Sequence, residues 1–297
     1  MTIDNYKIIA PLDKGSFGLV YKAIYLPTNT LCALKILRKD IESAKLAFFF
    51  FFKEYKMMSN INHQHILKPL DFNTKGKLTG KQGDSEKVAY MALPFLSKGD
   101  LHGLVSKFGK VSRNTSRFLM KQIVSAVYYL HTEGIAHRDI KLENIMLDEE
   151  FNAKLIDFGF CIKADPTMKE KLQCGTYGYM SPQMKAKIPY DAFKSDVFAL
   201  GVTLFTLRSG RYPFDYATLK DKTYKAFLLN KDYYWKHFSK NLKIEYCAEF
   251  KSLINGMLAY DEEERFSVFD VMKSPFLKGK IDKESAKKEL KSFFGSG

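Results

Sequence analysis

In Tyr6–Leu12 and Leu19–Tyr25 apolar positions alternate with a period of two, the pattern of strands buried on one face. Tyr6–Leu12 and Leu19–Tyr25 read as two strands joined by Asp13-Lys14-Gly15-Ser16-Phe17-Gly18, and Leu31–Leu37 as the next. A helical segment is expected around residues 43–60. The polar stretch Asn73–Lys87, with Gly76, Gly80 and Gly83, reads as a long loop, and Val88–Leu93 as a buried strand. Helical spacing then takes over. Ser112 is a candidate N-cap for a helix through about Glu133, with Phe118, Ile123, Val127 and Leu130 on its apolar side and Gly134 ending it. Lys154–Gly159 reads as a short strand, and Asp196 sits in a buried helix. Residues 278–297 hold six lysines against three acids. They could form a basic amphipathic helix with Ile281, Ala286, Leu290 and Phe293 on one side, but a solvated tail is the expectation.

Phe48-Phe49-Phe50-Phe51-Phe52 breaks the helical pattern. At about 100° per residue, Phe50 and Phe51 share a face with Glu54, while Phe48, Phe49 and Phe52 point away. Five consecutive aromatics cannot all face one core. Two readings stand side by side: all five pack within the first lobe, or some lie at the surface as a docking patch for a partner or for the chain's own tail.

Composition changes this picture little. The 297 residues are 46% hydrophobic, enough for a sizeable core, and the longest apolar runs fall short of the ~20 residues of a membrane span. Met1–Asn5 lacks the basic lead and apolar core of a signal peptide. Four scattered cysteines with no CxxC pair argue against a zinc site or a disulfide framework and for an intracellular, cytoplasmic location, with the nucleus left open. Cys161 and Cys174 raise a redox role, against the simpler reading of small buried residues. The net charge of +14 comes from lysines spread along the chain, without a basic block, so no specific nucleic-acid partner is expected.

The candidate chemistry centres on His137-Arg138-Asp139-Ile140-Lys141-Leu142-Glu143-Asn144. A loop can gather Asp139, Lys141 and Asn144, whereas a strand would fix them alternately up and down. Phosphoryl transfer to a hydroxyl wants this trio: a carboxylate to orient and deprotonate the alcohol, an ammonium to neutralise phosphate, an amide oxygen to hold magnesium. Asp157, ending a strand before Phe158-Gly159, is the carboxylate that a hard cation wants. Lys35, flanked by apolar residues on a strand, needs an anionic partner, and Glu54 is the obvious one. Gly15 and Gly18 let backbone N–H groups come close to phosphates.

In this order these motifs resemble the eukaryotic protein kinase family over residues 6–277. Lys141 two residues after Asp139, together with Thr176, resembles the serine/threonine kinases, and the style is closest to the calcium/calmodulin-dependent group. The resemblance implies an α+β, two-lobed fold. A small antiparallel β-sheet lobe with one helix (6–97) would bind nucleotide, a mainly α-helical lobe (98–277) would be catalytic, and 278–297 would be a basic C-terminal tail. It implies ATP and Mg as cofactors, protein substrates and a monomer. Lys35, held by Glu54, would bind the ATP α/β-phosphates. Asp139 and Lys141 would be catalytic, and Asn144 and Asp157 would hold the metal. Further ATP contacts would come from Leu12, Gly15, Ser16, Gly18, Val20, Ala33, Leu93, Leu96, Asp100 and Met146. Asp100 and Glu143 resemble positions that favour arginine in the substrate, although the third such position is Thr206.

Three departures stand out. Asp13 replaces the first glycine of the phosphate loop, Gln183 replaces the glutamate that would pair with Arg265, and Leu172 occupies the usual phosphothreonine position. Thr167, once phosphorylated, or Glu170 as it stands would then supply the anion for Arg138, so partial activity without an upstream kinase is expected. Gln183 is expected to leave Arg265 less well compensated. The alternative function is a pseudokinase scaffold that binds nucleotide or partners without efficient transfer.

Overall fold

The computed structural model describes residues 1–14, 18–37, 44–80, 83–165 and 167–294. The chain divides into two compact units, Met1–Leu96 and Ser97–Gly297.

The first unit is an antiparallel sheet with one helix. Its strands are β1 (Thr2–Ile3), β2 (Tyr6–Lys14), β3 (Gly18–Tyr25), β4 (Thr30–Leu37), β5 (Asp71–Thr79) and β6 (Ser85–Pro94). They lie side by side in the order β1-β2-β3-β4-β6-β5. Period-two patterning sorts β4 cleanly. Cys32, Leu34 and Ile36 enter a core with Ala23, Val88, Tyr90 and Ala92, while Ala33 and Lys35 take the other face. The stretch expected to be a loop over Asn73–Lys87 is instead mostly β5 and the start of β6, paired from Gly76–Val88 to Thr79–Ser85. Its side chains are mostly at the surface, so no apolar alternation marks it. Distant residues hold it: Asp4 accepts from the Lys77 N–H (2.9 Å), the Asn73 amide (3.0 Å) and the Tyr90 hydroxyl (3.1 Å). A bulge between Asn73 and Gly76 lays Gly76 against the Tyr90 ring, where a Cβ would stand 2.5 Å from a ring carbon.

The helix α1 (Ala44–Ser59) buries Ala47, Phe51, Glu54 and Met58, one stripe at helical spacing. Phe51 is fully enclosed, worth roughly 2–3 kcal/mol relative to exposure. Phe48 and Phe49 are exposed. Phe52 does not point away: its ring lies 5.8 Å from that of Phe72, which also stacks on Tyr55 at 4.1 Å. The strand residue Phe72 widens the apolar face of α1, a contact invisible in the local pattern.

The second unit is mainly helical: α2 (Leu101–Phe108), α3 (Arg113–Thr132), α4 (Pro182–Ala186), α5 (Ala192–Ser209), α6 (Lys222–Leu229), α7 (Lys231–Leu242), α8 (Ala248–Met257), α9 (Val268–Lys273), α10 (Pro275–Lys278) and α11 (Lys283–Phe294). Short strand pairs join them, β7 (Ile135–Ala136) with β10 (Ile162–Lys163) and β8 (Ile145–Leu147) with β9 (Ala153–Leu155). Ser112 caps α3 by accepting the Thr115 N–H at 3.1 Å. α5 is buried on nearly every side, consistent with its continuous apolar sequence.

The segment expected to be a solvated tail is α11, packed on α3 with Ala286 and Leu290 fully buried. The physical reason is a second partner surface. Phe293 stacks on Phe108 at 5.0 Å, and Glu289 accepts the Ser112 N–H at 2.7 Å and bonds the Thr115 hydroxyl, so a carboxylate sits at the positive end of α3. No helix among the described residues is long and apolar enough to cross a membrane.

Candidate active site

The expected site residues fall into two groups, one in each unit. In the first unit Lys35 Nζ reaches both Glu54 carboxylate oxygens at 2.7 Å. Lys35 is carried by β4 and Glu54 by the buried stripe of α1, so neither head is free to wander. The pair is largely buried, where a bidentate contact offsets part of the desolvation cost of both charges. Ladder register gives Lys35 its company. Val20 lies opposite Lys35, Ala33 opposite Leu93, and Gly18 opposite Leu37, so Gly18, Val20, Ala33, Lys35 and Leu93 share one sheet face. Leu12 is exposed on β2, and Leu96 is buried at the end of the unit. Asp13 is exposed, its carboxylate accepting the Lys14 N–H at 2.7 Å. Gly15 and Ser16 lie outside the described residues.

In the second unit Asp139, Lys141, Asn144 and Thr176 form a closed hydrogen-bonded ring. Lys141 Nζ stands 2.8 Å from Asp139 Oδ2 and donates to Thr176 Oγ1 at 2.6 Å; Thr176 donates to Asp139 Oδ1 at 2.9 Å. Asn144 Nδ2 donates to the Asp139 carbonyl (2.8 Å) and to Oδ2 (3.0 Å), which leaves Oδ1 as the end of the amide able to coordinate a cation. Gly175 makes the approach of Thr176 possible. Its φ is +89°, and a Cβ there would stand 2.5 Å from the Arg138 carbonyl oxygen.

The loop under this ring is held from α5. Asp196, 1% exposed, accepts the N–H groups of His137 (2.8 Å) and Arg138 (2.7 Å) and contacts His131 Nε2 at 3.0 Å. This lets Arg138 keep a left-handed backbone at φ 64°, a conformation that costs an ordinary residue ~1–2 kcal/mol. His137 Nδ1 accepts the Asp139 N–H at 3.3 Å while Nε2 faces the Ile156 carbonyl at 3.3 Å, so the hydrogen bonds select the Nε2–H tautomer.

Asp157 is also left-handed, at φ 62°, with Oδ1 accepting the Gly159 N–H at 3.2 Å. The β8–β9 ladder places it near Asn144, whose carbonyl accepts the Ile156 N–H at 2.9 Å. Among the described residues no cluster of three or more His, Cys, Asp or Glu could cage a metal. One carboxylate and one amide oxygen suit a magnesium ion that keeps other oxygen ligands, not a fully protein-caged one. Met146 bridges to Asp100, and Asp100 Oδ1 is engaged as the N-cap of α2, accepting the Gly103 N–H at 2.7 Å.

Arg138 already has its anion. Its Nε donates to the Phe160 carbonyl (2.9 Å) and Nη1 contacts Glu170 Oε2 at 3.4 Å, with the Arg138 side chain 5% exposed. Glu170 is fixed in turn by two backbone hydrogen bonds with Tyr190, at 2.8 and 2.9 Å. Thr167 instead bonds Asp165. Cys161 and Cys174 are buried, and burial pushes the Cys174 thiol up, away from reactive thiolate. Two supports escaped the sequence reading: His137 as an acceptor for Asp139, and Tyr179, whose hydroxyl donates to Glu143 at 3.3 Å. The Tyr179–Glu143 contact spans 36 residues, and no local signal announces it.

Residues 6–277 match the family model described as "Protein kinase domain". Among curated relatives, the chain is 35% identical over 212 residues to NUAK family SNF1-like kinase 1 of Mus musculus, covering 71% of this chain and 30% of that protein. It is 29% identical over 277 residues to an Aurora kinase of Saccharomyces cerevisiae, covering 93% and 70%. It is 29% identical over 288 residues to CBL-interacting protein kinase 11 of Oryza sativa subsp. japonica, covering 94% and 52%. Across five such relatives the chain spans between 28% and 70% of their length.

Proposed function

Because the chain belongs to the protein kinase family, we propose that it transfers the γ-phosphoryl group of ATP to serine or threonine hydroxyls of protein substrates. The observation that carries this is the ring of Asp139, Lys141, Asn144 and Thr176. It holds a carboxylate within reach of an incoming hydroxyl and an ammonium beside it, with both rotamers fixed before substrate arrives. Asp139 orients the hydroxyl and takes its proton; Lys141 neutralises charge on the migrating phosphate. Lys35, locked by Glu54, binds the α/β-phosphates. Gly18, Val20, Ala33 and Leu93 form the sheet face toward the nucleotide, with Leu12, Gly15, Ser16, Leu96, Asp100 and Met146 as its remaining contacts. Asn144 Oδ1 and Asp157 hold magnesium, which supplies charge neutralisation between the phosphates when bound.

The reading includes activity without phosphorylation of the loop, supported by the Arg138–Glu170 pair. It also includes action as a monomer at an intracellular location, the latter supported by four free cysteines.

The test is phosphate transfer from ATP-Mg to a generic protein substrate, using phosphatase-treated wild type beside Asp139→Asn. The wild type is expected to label serine or threonine, and Asp139→Asn to fall by 10²-fold or more, of the order of general-base loss. Nucleotide binding without transfer by the wild type would favour the scaffold reading instead.

A further inference from the structure

A cavity of about 640 Å³ opens beside the loop that carries the ring, and its charge is one-sided. Its lining includes His102, Lys110 and Arg211 and contains no carboxylate. Arg211 makes no hydrogen bond or ion pair to any described residue. Among the described residues Lys110 Nζ meets only the Leu242 carbonyl, at 3.2 Å, and His102 faces the Ser106 hydroxyl at 3.5 Å. The neutral polar groups in the wall are already committed: Thr206 donates to the Val202 carbonyl and Ser209 bonds Tyr246.

The cavity is tied to the ring by two walls. Leu142 follows Lys141 directly. Tyr212 lies 5.6 Å from the Tyr179 ring, with the hydroxyls 3.2 Å apart, and Tyr179 is three residues beyond Thr176. An extended peptide advances about 3.3 Å per residue, so the residues within a few positions of a hydroxyl at Asp139 are the ones to test against this lining. Of the acids that point to a basic substrate, each has one oxygen held, Asp100 Oδ1 in the α2 cap and Glu143 Oε2 by Tyr179, and neither lines this cavity.

We infer that this cavity is a substrate subsite that takes an anionic side chain, a carboxylate or a phosphoserine, near the acceptor hydroxyl. The inference rests on the kinase reading above and names the substrate class for it. Two exposed cations facing one acid, each worth about two- to five-fold, give a preference of about ten-fold.

The test measures both binding and transfer. Fluorescent peptides with one acceptor serine carry Glu, phosphoserine, Ala or Arg at each of the four positions on either side. Anisotropy without ATP reports binding; kcat/KM reports transfer. Wild type is expected to prefer Glu or phosphoserine over Ala by about ten-fold, mostly through KM. Arg211→Glu with Lys110→Glu is expected to turn the order toward Arg, while Arg211→Lys keeps it. Glu and phosphoserine peptides separate the two sources of negative charge. Equal ratios in wild type and the double variant, or a wild-type preference for Arg, overturn the inference while leaving the kinase reading intact. Arg211-dependent binding of acidic peptides without any transfer sustains the subsite and sinks the kinase reading. Arg211-dependent binding to phosphatidylserine vesicles with no discrimination among peptides would also overturn it.

Discussion

Lys185 has a buried Nζ with no hydrogen-bond partner among the described residues, covered by the Tyr177 ring and 5.1 Å from the Tyr216 ring centre. Burial pulls its pKa down from 10.5 to about 7. The unfolded chain therefore binds this proton more tightly than the folded one. The penalty is complete below about pH 7 and disappears as pH rises toward 10.5. Lys185→Met is expected to raise the melting temperature most near pH 6.5, with the gain shrinking by pH 9.5. A gain independent of pH would show that packing alone is responsible. Arg265 finds hydrogen bonds but no ion pair among the described residues, in line with the expectation that it is less well compensated. Although Gln183 offers no charge, Arg265 donates to Gln183 Oε1 (2.9 Å) and to the carbonyls of Ala259 (2.9 Å), Tyr260 (3.1 Å) and Lys194 (3.3 Å), and it lies over the Phe198 ring. Burial lowers its pKa to about 10, opposed first by Glu262, so it stays charged at neutral pH. Gln183 Nε2 also donates to Tyr260 O at 2.6 Å, which glutamate could not do. Gln183→Glu should thus change stability by no more than ~1 kcal/mol, whereas Gln183→Leu should lose ~2–3 kcal/mol in denaturant titration. A gain above ~3 kcal/mol from the glutamate would mean that the arginine is poorly served after all.

At the scale of elements, legibility followed burial. α3 announces itself because one face is apolar and the other is not, and β4 because its run Leu31–Leu37 is apolar apart from Lys35. β5 does not, since its partners are Asp4 and the β6 backbone, and backbone pairing leaves no mark on side-chain pattern. α11 was half legible: Ala286, Leu290 and Phe293 gave the apolar side, but nothing local says that α3 and Phe108 wait to cover it. Leu290→Ala should cost ~2–5 kcal/mol by denaturant unfolding, the range for a fully buried leucine. An effect below ~0.5 kcal/mol would restore the solvated tail.

For the whole molecule, the chemistry was more legible than the support beneath it. Asp139, Lys141 and Asn144 are close in sequence, so spacing alone gathers them, and Lys35 betrays its need for Glu54 by being charged on a buried strand. Glu170 was already a candidate anion for Arg138 in the sequence, whereas Tyr179 reaches Glu143 from 36 residues away and only folding reveals it. Charge acts on the full chain as well. A net +14 repels itself, so raising NaCl from about 20 to about 200 mM should raise the melting temperature. A fall would mean that ion pairs outweigh repulsion.

Glu289 bonds Ser112 across 177 residues, and this has a consequence during synthesis. At about 5–20 residues per second, roughly 10–35 s separate translation of the two partners. Through that interval the first turn of α3 lacks its carboxylate and its flank lacks Leu290, so the nascent chain presents an unfinished apolar surface to chaperones and proteases. A message truncated before codon 289 would hold it in that condition permanently.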